Sequence, residues 1–297
     1  MSAELSAGPA SVPGRAPRPL WALSLLRSEV TTVFRRWRTL ALLGILAVVP
    51  VVVGIAVKIE TSGGGTAGRH GSGAGPAFIG QVTGNGLFLV FASLAATLPF
   101  FLPMAIGVIA GDSVAGEASS GTLRYLLVAP AGRTRLLLAK YATVLAFCLA
   151  ATLAVAVSAL AVGALLFPLG DVTLISGTSV SLGEGIVRAL AIAGLVALSL
   201  TGIAALGLFV STLTNSGIAA MATTVGLLIT VQILDQFPQL SAIQPYLFPH
   251  YWLSFADLLR APVYWDQVQH NLLLQLLYAA FFGSAAWARF TSKDITA

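Results

Sequence analysis

The stretch Gly116–Lys140, GEASSGTLRYLLVAPAGRTRLLLAK, carries one acid and four bases, yet it lies between two of the most apolar runs in the chain. Upstream, Gly86–Ala110 has no charged residue, and downstream, Leu136–Phe167 has only Lys140. Runs of about 20 residues nearly free of charge mark membrane helices, because roughly 30 Å of hydrocarbon must be crossed at about 1.5 Å per residue. Six such runs are present: Thr39–Val57, Gly86–Ala110, Leu136–Phe167, Ile186–Val210, Ile218–Leu234 and Leu272–Phe290. The quoted stretch is therefore a polar connection between the second and third spans of an all-α integral membrane protein.

Composition leads to the same class. With 57% hydrophobic and 9% charged residues and a mean hydropathy of +0.90, 297 residues cannot cover a soluble globule with polar surface. No stretch outside the spans is long enough to bury a separate core, so one membrane domain is expected. The net charge of +5 does not point to nucleic acid, because the bases gather at the ends of apolar runs, where lipid headgroups lie. The one cysteine, Cys148, allows no internal disulfide framework and no cysteine-based metal site, and it reads as a small buried side chain.

An even number of spans puts both termini on one side. Arg15, Arg18, Arg27, Arg35, Arg36 and Arg38 precede the first span, Arg124, Arg133, Arg135 and Lys140 lie in the quoted stretch, and Arg289 and Lys293 close the last span. Only Lys58, Arg69, Arg188 and Arg260 fall on the other side, so the bias of twelve to four predicts a cytoplasmic-membrane protein with both termini and the quoted stretch in the cytoplasm. Residues 1–19 contain four prolines and no apolar core, and are expected to be a disordered cytoplasmic tail rather than a cleavable signal. Residues 20–38 repeat Leu23, Leu26, Val30, Val33, Phe34 and Trp37 at three- and four-residue steps, opposite Arg27, Ser28, Thr31, Arg35 and Arg38. That pattern predicts an amphipathic interfacial helix, although the same face would suit a partner protein. Residues 39–297 then form the six-span domain.

Further expectations follow along the chain. The Gly-rich loop Thr61–Gly75 should be flexible, with His70 solvated. Pro99 and Pro103 should kink the second span, and Leu136–Phe167 is longer than a bilayer needs, so its first turns should project or tilt. Within the quoted stretch, Ser119, Ser120 and Gly121 should interrupt a helix, with Ser120 or Thr122 capping a new one. Leu123, Leu126 and Leu127 share a face of that short helix, which should end before Pro130. Arg133, Arg135 and Lys140 would mark re-entry into the bilayer, their long side chains reaching headgroups.

Several function classes lose their usual equipment. Asp112, Asp171, Glu184, Asp235, Asp257 and Asp266 fall at span ends or in loops, which argues against an ion-coupled transporter or channel. No HExxH, GxSxG or Cys/His cluster is present, so the chain does not read as an enzyme. Without a GxxxxGK[ST] phosphate loop, any ATP and Mg would be held by another chain, and no cofactor is expected on this one. A purely structural anchor would leave the amphipathic element of the quoted stretch without a purpose.

The residues of that stretch resemble those of the membrane-spanning subunits of export-type ABC transporters, often called ABC type 2. In that family an acidic residue, Gly-Thr-Leu, an aliphatic pair, a proline, a base and a lysine connect the second and third spans. The matching residues here are Glu117, Gly121, Thr122, Leu123, Leu126, Leu127, Pro130, Arg133 and Lys140, with Ala131 a departure where many members have a β-branched residue or Ser. The likeness covers nearly the whole chain and includes a re-entrant extracellular helical segment before the last span. Here that segment is Phe237–Asp266, where Pro238, Pro245, Pro249 and Pro262 break an aromatic-rich run.

The resemblance implies that residues 112–135 are the coupling segment and dock on a separate cytoplasmic ATPase subunit. Two permeases, identical or different, would work with two ATPases to export a hydrophobic or amphipathic, drug- or antibiotic-like compound. Lipid or glycolipid export is the alternative, followed by ion-coupled transport.

Overall fold

The computed structural model describes residues 20–62, 83–121, 132–173 and 176–292. The expected N-terminal tail, most of the Gly-rich loop and the short helix of the quoted stretch, with Thr122, Leu123, Leu126, Leu127 and Pro130, lie outside the described residues. Among the described residues, six helical spans are long and apolar enough to cross a membrane, and the chain is a multi-pass membrane protein.

Helix α1, Leu20–Arg35, is followed after one residue by α2, Trp37–Ser62. The elbow thus falls at Arg36, and the first span begins two residues before the expected Thr39. The second span departs further from expectation. Instead of one kinked helix over Gly86–Ala110, the chain forms α3, Phe88–Thr97, then a three-residue break, then α4, Phe101–Ser119, which is the spanning element. The break has a local cause. Pro99 lacks the donor that would reach Ala95, and Pro103 lacks the one that would reach Pro99. The Pro99 carbonyl instead accepts a hydrogen bond from Gln232 Nε2, on the helix packed against α4.

Helix α5, Arg133–Leu166, is 34 residues long and packs against α1, α2, α3 and α4. A two-stranded antiparallel hairpin, β1 (Val172–Thr173) with β2 (Ser179–Val180), leads into α6, Leu182–Ser199. The start of α6 is set by Ser181, whose hydroxyl accepts from the Glu184 amide. The fourth span is also interrupted: α6 stops at Ser199 and α7, Thr201–Leu213, resumes after Leu200. Helix α8, Gly217–Asp235, and the last helix α9, Asp266–Ser292, complete the bundle. Between them the proline-rich segment forms short 3-10 turns at Pro238–Leu240, Gln244–Tyr246 and Trp252–Leu259. It still contributes Phe248, Trp252, Phe255 and Leu259 to the core.

Close helix crossings depend on glycine. A Cβ on Gly111 of α4 would stand 2.9 Å from the Met221 backbone of α8, and one on Gly207 of α7 would stand 2.6 Å from Ala110 Cβ. Small residues let backbones approach in this way, which favours packing of helices in lipid. Ser211 of α7 then pins the same crossing. Its hydroxyl donates to the Gly111 carbonyl at 2.6 Å and accepts from the Val114 and Ala115 amides at 3.0 and 2.9 Å.

Candidate functional site

The site forms where α4 ends and α5 begins. Gly121, with φ of 72°, stops α4: the Ser120 amide bonds to the Gly116 carbonyl and the Gly121 amide to the Ala118 carbonyl. Ser120 thus stands at the C-terminus of α4. Gly132, also with φ of 72°, stands immediately before α5. Two left-handed glycines, which tolerate this backbone without a Cβ clash, bracket the polar connection.

On the near side of that connection, Glu117 reaches Lys140 of α5 at 2.6 Å, and Lys140 also meets Glu29 of α1 at 3.3 Å. The expectation that Lys140 extends to headgroups does not hold: its side chain is 2% exposed, and Glu117 is buried too. Two acidic side chains converge on one amine because α5 carries Lys140 back between α1 and α4, where taking an ammonium out of water requires paired partners. A second pair, Arg36 Nη1 to Asp112 Oδ2 at 3.2 Å, ties the α1–α2 elbow to the same helix. Asp112 fits there because Gly116 and Gly217 leave room: a Cβ on either would stand 2.3 or 2.5 Å from its Oδ1.

On the far side, Arg133 is also used within the chain. Its Nη1 donates to the Thr291 carbonyl at 2.8 Å, near the C-terminus of α9, where the helix dipole favours a cation. Trp287 Nε1 donates to Thr134 Oγ1 at 3.0 Å beside it. Below these contacts Val114, Leu136, Leu137, Leu208, Ala286 and Phe290 form a separate apolar cluster from four helices.

Of the residues expected to form the coupling element, the structure places Glu117, Gly121, Arg133 and Lys140, and brings Glu117 and Lys140 into contact. Glu29, Arg36 and Asp112 complete the cluster: Asp112 opens the expected coupling segment and Arg36 was counted among the orienting bases, while Glu29 had been given no role. Glu29 did leave a signal. It follows Leu26 by three residues and precedes Val33 by four, so it lies on the apolar arc of α1, where an acid requires a partner. Elsewhere an apolar cavity of about 560 Å³ lies between α5, α6 and α9, lined by Leu145, Leu149, Gly194, Leu198, Val268 and Trp265. No group of three potential metal ligands lies together among the described residues.

Fold and site define a multi-pass helical membrane protein in which buried ion pairs fasten three helices around a polar connection. Residues 76–296 match a family described as a protein of unknown function, DUF2705, and the chain belongs to that family. No curated protein matches the chain.

Proposed function

We propose that the chain is the permease subunit of an ATP-driven ABC exporter. It pairs with a second permease and two cytoplasmic ATPase subunits that bind ATP and Mg, and it moves a hydrophobic or amphipathic compound across the cytoplasmic membrane. Both termini lie in the cytoplasm, α1 lies in the headgroup region, and the proline-rich segment before α9 is re-entrant on the outer side. One observation supports the reading: the helix ends on either side of residues 122–131 are fastened to different helices. Glu117 and Lys140 join their near side to α4, α5 and α1, while Arg133 and Thr134 join their far side to α9. A push delivered to these helix ends reaches four helices.

The test is Leu126→Asp, which places a charge on the apolar face proposed to dock. The expected result is correct insertion with loss of ATPase co-purification and of vanadate-sensitive hydrolysis. Normal partner retention and an unaltered export rate in that variant sink the proposal.

The buried Glu29–Lys140–Glu117 cluster favours one other reading, since ionisable groups held inside a membrane bundle often serve ion coupling. Export that collapses with the proton gradient but ignores vanadate would select that reading.

A further inference from the structure

The apolar cavity between α5, α6 and α9 is a groove in the flank of the bundle. Leu195, Ala197 and Val268 on its wall are buried, while Leu149, Leu198 and Trp265 are exposed. Small residues create it: Ala191, Gly194 and Ala197 recur at three-residue steps on α6, and a Cβ on Gly194 would meet nothing within 4 Å. From Ala191 to Thr201 the groove runs about 15 Å along a helix, half of the roughly 30 Å hydrocarbon core and so the depth of one leaflet. That leaflet is the one away from the Arg133 contact, because Val268 and Leu272 lie in the first two turns of α9 and Thr291 in its last. The one lining hydroxyl, Thr201, is already bonded to the Leu198 carbonyl at 2.8 Å, so the wall suits hydrocarbon and not a polar ligand.

The rim at the start of α9 is different. Trp265 is exposed, and Tyr264 beside it lies under the Arg260 guanidinium at 5.6 Å. Arg260 meets Asp257 through Nε at 3.3 Å, but half of its side chain stays exposed. Asp266, which opens α9, is 86% exposed. Aromatic rings beside charged side chains mark the headgroup level, and a guanidinium matches a phosphate. Arg188 is already taken by Glu184 and the Leu258 carbonyl. With Glu184, Asp257 and Asp266 set against Arg188 and Arg260, the rim has one more acid than base, which disfavours an anionic headgroup.

We infer that the groove holds one acyl chain of a zwitterionic phospholipid, phosphatidylethanolamine in its chemistry. The chain lies along Gly194 and Leu198, the phosphate meets Arg260, and the ammonium meets Asp266. Bulk lipid tails are as apolar as the groove, so the chain alone gains little by entering it. Selection comes from the two charged contacts at the rim. The inference goes beyond the export reading and does not depend on it, since the lipid is a resident of this chain whether or not a substrate is moved.

The experiment is native mass spectrometry of the full chain in detergent, titrated with dipalmitoyl phosphatidylethanolamine or dipalmitoyl phosphatidylglycerol. A first phosphatidylethanolamine adduct should saturate before any further ones, with affinity about fivefold or more above that for phosphatidylglycerol. Soluble phosphoethanolamine should not displace it. Gly194→Phe projects a ring into the groove and should weaken this adduct about tenfold or more, whereas Gly44→Phe, at an equally open position on α2, should not. Leu198→Trp fills the groove from its exposed edge if Gly194→Phe does not fold. Asp266→Asn should bring the two lipids to similar affinity. Unchanged phosphatidylethanolamine binding in the groove-filling variants overturns the site, as do adducts that fill without a distinct first one, the mark of ordinary surrounding lipid. Equal affinity of the parent for both lipids overturns it too. A shift from dimer to monomer in Gly194→Phe with the lipid adduct intact assigns the groove to a second copy of the chain instead. Because no ATPase enters the measurement, none of these results bears on the export proposal.

Discussion

Glu117 and Lys140 stand 2.6 Å apart across the connection between α4 and α5, with side chains 11% and 2% exposed. A pair at the surface would contribute little, because water and salt screen it. Here the same contact holds α4 against α5, and the second acid, Glu29, adds α1 to it. The charges have been taken out of water, so their value depends on staying together.

Lys140→Met should therefore destabilise the fold by about 3–5 kcal/mol, because it leaves two buried carboxylates facing each other without a cation. Adding Glu117→Gln should recover part of the loss. A thiol-reactive dye reports the unfolding, since Cys148 is the only cysteine and is 1% exposed. A parental melting temperature for Lys140→Met rules out the buried triad.

The break before α4 gives a second prediction. Gln232 supplies the donor that Pro103 cannot give to the Pro99 carbonyl. Gln232→Leu should cost about 1 kcal/mol by taking the donor from a part-buried carbonyl. Pro103→Ala restores a backbone N–H four residues after Pro99 and should rescue much of that loss in the double variant. Additive losses in the thermal-melt cycle would contradict this account of the break.

These two sites show what the sequence makes legible and what it hides. Span number and approximate extent follow from apolar runs, because the bilayer imposes a length and a polarity on each segment separately. Pro99 and Pro103 announced a disturbance, but whether it became a kink or a break depended on Gln232, 133 residues away. Similarly, Lys140 looked like a headgroup residue because its neighbours Arg133 and Arg135 are basic. Its burial depends on Glu29 of α1 and Glu117 of α4, which no local pattern around Lys140 contains. The stop at Gly121 was readable because a left-handed terminus needs only a local residue. Arg133 was readable as a base and unreadable as a tie to Thr291, since that contact requires α9 to be in place.

Glycine substitutions separate crossing points from open faces. A Cβ on Gly163 of α5 would stand 2.2 Å from the Gly86 carbonyl oxygen, and one on Gly86 would stand 2.3 Å from that of Gly163. Both obstacles are backbone, so Gly163→Ala should force the two segments apart at a cost of about 1–3 kcal/mol. Gly194→Ala, at a helical position with nothing within 4 Å, should be neutral or stabilising by up to about 1 kcal/mol. Thermal unfolding of the two variants in one detergent decides the matter; equal behaviour excludes the close crossing.

The orientation of the bundle is open to direct measurement. Twelve bases lie before the first span, in the connection between the second and third, or toward the matching ends of the first, third and last spans, while four lie elsewhere. Translocating a basic flank is disfavoured, so the twelve should remain in the cytoplasm. Single cysteines at Ser2 and Thr296 in a Cys148→Ala background should react with an impermeant maleimide only after the membrane is opened. Gln239→Cys, in an exposed 3-10 turn near the opposite end of α8, should react in intact cells. Labelling of Ser2→Cys or Thr296→Cys in intact cells, or protection of Gln239→Cys, reverses the orientation. In that event the segment between α4 and α5 faces away from any cytoplasmic ATPase, and the export proposal falls with it.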